Sequence, residues 1–160
     1  MHRFTMVATA ATATFLGLAT LTGCSSSSSD TSATTGGGVT VPAGDGTPVA
    51  VTVGETSDTV MYMKVAPDSV KAGKVTFTLK NEGKKTHEMV VLKTDTPYDQ
   101  LEVGSNNKVS EDASVGEVSE IKAGETGTVT LDLTAGAYAL VCNIEKHYAM
   151  GMRAPFTVTP

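Results

Sequence analysis

The sequence predicts an all-β domain, an antiparallel sandwich or barrel. From Val49 onward, apolar residues recur at every second position in short runs, and clusters of turn-forming residues separate those runs. After Cys24 there is no long stretch of helical period. Many short alternating strands between turn signals are the mark of such folds.

The runs can be taken in order. Met61, Met63 and Val65 alternate with Tyr62 and Lys64, and a connection from Pro67 to Gly73 follows. Val75, Phe77 and Leu79 alternate with Thr76, Thr78 and Lys80, and Asn81-Glu82-Gly83 turns the chain into a strand beginning at His87. Val129, Leu131 and Leu133 form the next alternation, and Ala135-Gly136 turns. Tyr138, Leu140 and Cys142 then share a face, and Phe156 and Val158 close the chain. Met61, Met63 and Met89 sit on apolar strand faces, so they are read as core and not as a methionine relay for metal. Segment 95–122 is the exception: it is rich in Asp, Glu, Ser, Asn and Gly, with few apolar anchors. It reads as a solvated acidic loop with one short helix around Pro97 to Leu101, where proline suits a first turn.

Residues 1–23 read as an export signal. Met1-His2-Arg3 is a basic start, Phe4 to Leu21 is an apolar run too short for a comfortable membrane span, and Leu21-Thr22-Gly23-Cys24 follows. That ending resembles a bacterial lipobox, which would place a lipid on Cys24 and anchor the chain to the cell membrane, facing periplasm or exterior, without spanning it. Residues 24–48 read as a tether, since a Ser, Thr and Gly segment cannot bury enough apolar surface to offset its ordering entropy. Val39 and Val41 are candidates to pair on a sheet edge. The folded domain is expected over 49–160.

Charge carries less. Of 12 Lys and Arg, Arg3 leaves with the signal, so 11 basic side chains face 17 acidic ones, a net of −6. With no basic patch and no Trp, nucleic-acid binding is not expected.

The chemistry gathers near the C-terminus. If a lipid takes Cys24, Cys142 has no disulfide partner in the chain, and an unpaired thiol in an exported protein calls for a reason such as metal ligation. Four residues separate Cys142 from His147 and four separate His147 from Met152. His87 lies far upstream at a strand start. Two imidazoles, one thiolate and a weak thioether form the ligand set of a blue-copper site. Zinc accepts His and Cys but is poorly served by a thioether. Met150, three residues beyond His147, is a rival to Met152.

These features resemble the cupredoxin family. The likeness rests on Asn81-Glu82-Gly83 ahead of His87-Glu88-Met89-Val90-Val91, on Gly136-Ala137-Tyr138 leading to Cys142, and on Cys142-x4-His147-x4-Met152 with Gly151 before the methionine. The loop spacing is similar to that of rusticyanin, sulfocyanin and auracyanin. The resemblance implies a Greek-key β-sandwich holding one type 1 copper, with His87, Cys142 and His147 equatorial and Met152 axial. It also implies a hydrogen bond from the Glu88 amide to the thiolate. One departure is Glu145-Lys146, where related loops often carry Pro-Gly.

The expected function is a monomeric one-electron carrier, lipid-tethered, serving redox proteins outside the cytoplasm. The alternative is a module for copper storage or delivery to an oxidase. An enzyme is not expected: both histidines left after the signal are committed to metal, and multicopper catalysis needs more.

Overall fold

A computed structural model describes residues 45–160. The expected signal, Cys24 and most of the tether, with Val39 and Val41, lie outside the described residues. Within them the chain forms nine strands and no helix. These are β1 (Thr47–Ser57), β2 (Val60–Ala66), β3 (Ser69–Lys71), β4 (Gly73–Asn81), β5 (His87–Lys93), β6 (Ser114–Ile121), β7 (Thr126–Leu133), β8 (Gly136–Val141) and β9 (Arg153–Thr159). Strand β1 takes in Thr47 and Pro48, two residues ahead of the boundary expected at 49.

One sheet has four strands in the order β2-β1-β4-β7 and the other has five in the order β3-β9-β8-β5-β6. Only β1 with β4 and β3 with β9 pair in parallel. The result is a Greek-key β-sandwich. Alternation explains why the sheets face each other. Val49, Val51 and Val53 of β1 and Val75, Phe77 and Leu79 of β4 point to the same interior as Met89 and Val91 of β5, Tyr138 and Leu140 of β8, and Phe156 and Val158 of β9. Phe77 and Phe156 meet edge to face across the interface, ring centres 5.1 Å apart, a pairing worth about 1 kcal/mol beyond the area it buries. Met61, Met63 and Met89 are core, as their alternation implies.

Segment 95–122 departs from expectation. Its acidic side chains are exposed, but its last third is strand β6, paired with β5. Its first part is not a free loop either: Tyr98, Leu101 and Val109 cover Val90, Leu92, Ala139 and Val141 on the outer face of the five-stranded sheet. The helix expected around Pro97 is a single turn, closed by Gln100 N–H donating to Pro97 O. It goes no further because the next amide, of Leu101, donates to the Tyr148 hydroxyl. A side-chain acceptor from another part of the chain outbids a marginal local helix.

Candidate metal centre

Strands β5 and β8 are neighbours, with Val90 opposite Val141. His87 opens β5 and Cys142 follows the last residue of β8, so topology alone brings an imidazole and a thiol to one pole of the sandwich. His147 and Met152 come from the loop between β8 and β9, which is closely laced. Cys142 N–H donates to Met152 O at 3.0 Å, Met152 N–H to His147 O at 3.1 Å, and His147 N–H to Ile144 O at 3.0 Å. The opposite sheet grips the loop as well, through Met61 N–H to Met150 O at 2.9 Å. Gly151 is required here: its φ is +104°, and a Cβ would sit 2.9 Å from Met61 O. Lys146, in the departing Glu145-Lys146 pair, has φ +71°, a left-handed conformation that costs a side-chain-bearing residue about 1 kcal/mol.

Asn143, beside the thiol, fastens this loop to the 95–113 excursion. Its amide accepts from Val109 N–H at 2.9 Å and donates to Val109 O at 3.0 Å and to Glu111 Oε1 at 2.6 Å. Lys146 N–H donates to Asn107 O, and the Tyr148 hydroxyl donates to Tyr98 O. No pattern of residues pointed to these ties.

Of the four ligands expected, the structure brings three into a cluster. One donor atom from each of His87, Cys142 and His147 lies within 4.8 Å of the others. His147 Nδ1 is 3.3 Å from both His87 Nδ1 and Cys142 Sγ. His87 and Cys142 have no exposed surface, and His147 is 8 % exposed. Met152 is fully buried in the core beside Cys142, while Met150 is half-buried against it. Cys24 lies outside the described residues.

Burial sets the protonation of the cluster. It lowers the pKa of both imidazoles, with Lys85 adding to the lowering at each and Glu55 opposing it, so both rings are neutral at pH 7. The thiol is pushed up to about 11 by burial, against hydrogen bonds from the Glu88 and Ile144 amides. The Glu88 contact matches the resemblance; the Ile144 contact was not foreseen. Also unforeseen is Glu55, whose Oε1 accepts from His87 Nε2–H at 2.8 Å. Burial alone would raise this carboxyl, but the Lys84 and Lys85 amides and His87 bring it down to about 2. With His87 neutral, the contact is a charge-assisted hydrogen bond and not an ion pair.

The donors fit a metal on their own chemistry. His87 keeps its proton on Nε2, where it donates to Glu55, and this leaves a lone pair on Nδ1 facing the sulfur and the second imidazole. Two imidazole nitrogens and one sulfur suit copper. Residues 49–159 match the family model of copper binding proteins of the plastocyanin/azurin type. The chain belongs to that family. His87, Cys142 and His147 of this cupredoxin are positioned to bind one copper ion.

Solved structures agree on the fold. Reduced auracyanin from Roseiflexus castenholzii superposes with a TM-score of 0.52 at 22% identity, over 73% of this chain and 100% of that one. Rusticyanin from Thiobacillus ferrooxidans gives 0.54 at 21% identity, over 72% and 79%. No curated protein sequence matches the chain.

Proposed function

We propose that this cupredoxin is a monomeric, lipid-tethered one-electron carrier between redox proteins outside the cytoplasm, with Met152 as the axial ligand and residues 1–23, 24–48 and 49–160 as signal, lipidated tether and copper domain. The observation that carries the reading is the buried cluster of His87 Nδ1, Cys142 Sγ and His147 Nδ1, held from two strands and one laced loop. A copper ion in such a set supplies exchange between Cu(II) and Cu(I). The chain's part is to keep the ligands still, exclude water from the sulfur, and leave one ligand, His147, near the surface. A site whose His87 and Cys142 have no exposed surface suits retention of metal better than storage or delivery.

The test is to express the full chain in a bacterial host with copper and assay the membrane fraction. A blue chromophore that stays with the membranes, bleaches with a reductant and returns with an oxidant is the expected result. Colour in the soluble fraction would remove the tether, and copper that leaves on reduction would remove the carrier.

Met152 is preferred to Met150 because its main chain bonds to both Cys142 and His147 and its side chain is fully buried, whereas Met150 is only half-buried. Met152→Ala is expected to shift the visible spectrum and raise the reduction potential, and Met150→Ala to leave both nearly unchanged. Equal shifts in the two variants would overturn the choice.

A further inference from the structure

Strand β1 sends Val49, Val51 and Val53 into the core, and by the same alternation the next inward position is Glu55. A carboxylate where the pattern calls for another valine needs a reason. A bulge between Glu55 and Ser57 ends the regular pairing of β1 with β2 at this point, and such irregularities re-aim side chains. The Glu55 side chain is 9 % exposed and that of His87 is 0 %. Around it the connection from β4 to β5 is folded as a cradle. Glu55 Oε2 accepts from Lys84 N–H and Oε1 from Lys85 N–H, each at 2.9 Å. Asn81 holds the same turn, accepting from Gly83 N–H and donating to Lys85 O and Ile121 O. Gly83 leaves room for the carboxylate, since a Cβ there would push Glu55 Oε2 out of the cradle. The cradle leaves Glu55 Oε1 aimed at one further donor, His87 Nε2.

We infer that Glu55 is a positioning residue for the metal centre: its carboxylate fixes His87 as the Nε2–H tautomer with Nδ1 turned to the copper, and its negative charge favours Cu(II) over Cu(I). The inference rests on the copper reading of the site. Two arguments support it. A ligating imidazole whose far nitrogen donates to a carboxylate is oriented and made more basic, and loss of such partners typically costs about 10–100-fold in metal affinity. A fixed anion one imidazole away from the metal interacts more strongly with the higher charge, in surroundings from which water is excluded. No other acidic side chain hydrogen-bonds His87 or His147 among the described residues.

The experiment compares the full chain with Glu55→Gln, in which an amide oxygen can still accept from His87 but the charge is gone. Cu(II) and Cu(I) affinities are measured by competition with chelators, and the His87 tautomer by nitrogen NMR of the metal-free protein. The expected result is an Nε2–H tautomer in both proteins, with Cu(II) affinity falling about tenfold more than Cu(I) affinity in the variant. For one electron, that tenfold difference is a rise of about 59 mV in reduction potential. Affinities for both ions that change equally would overturn the inference, because a purely structural Glu55 would weaken the two alike. An Nδ1–H tautomer of His87 in the unsubstituted metal-free chain would overturn it even if the variant failed to fold. A parent chain that binds copper without reversible redox change would instead defeat the carrier function, leaving the affinity comparison to decide the role of Glu55.

Discussion

Replacing Cys142 with serine is expected to abolish the intense visible absorption of the copper-loaded chain. The thiol stands at the end of β8 with no exposed surface, 3.3 Å from His147 Nδ1, and accepts hydrogen bonds from the Glu88 and Ile144 amides. Those amides favour a sulfur anion, against the burial that holds the thiol protonated. A serine hydroxyl is smaller, harder and not ionised in the accessible pH range, so it offers copper neither the soft ligand nor the charge. The loss of affinity should exceed the roughly 10–100-fold cost of removing an outer partner, since a direct ligand is lost. A Cu(II) titration followed in the visible checks it: an intense blue band surviving in Cys142→Ser would mean that the sulfur is not a ligand.

The second large effect is expected of Asn143→Ala. The side chain is 2 % exposed and holds both the N–H and the C=O of Val109, with Glu111 as a third partner. Alanine leaves buried backbone groups without partners, at about 1–3 kcal/mol each. A loss on the order of 3 kcal/mol is therefore expected, or roughly 10 °C or more in melting temperature. The consequence at the metal follows from covalent adjacency: Asn143 is bonded to Cys142, so loosening it from the excursion frees one end of the ligand loop. Copper should leave the variant faster. An unchanged melting temperature together with unchanged copper dissociation would show that the excursion does not brace the loop.

Much of this was written in the residues. The ligand order His87, Cys142, His147 could be read because each residue type is rare in the chain and chemically specific, and the main strands could be read because their inward residues recur at period two. Strand β6 was hidden for a physical reason. Its buried residues are Val118 and Ile121, three apart, because the register with β5 shifts between His87 and Met89. One extra residue in a strand is enough to erase alternation. The cover provided by 95–113 had a sign in the unbroken apolar run Val90-Val91-Leu92, since a strand buried on both faces needs something on each. Glu55 could not be found by pattern, because its partners lie 29 to 32 residues away and meet it only through the pairing of β1 with β4 and the turn that follows.

The depth of Cys142 bears on the reactivity of its sulfur. Disulfide exchange and peroxide oxidation both require a thiolate that a reagent can approach. Here the sulfur has no exposed surface and keeps its proton up to about pH 11, and it is the one free cysteine among the described residues. The thiol is thus held in a form closed to cross-linking between copies and to irreversible oxidation. The same walls that keep water from the sulfur also keep out the reagents that would consume it.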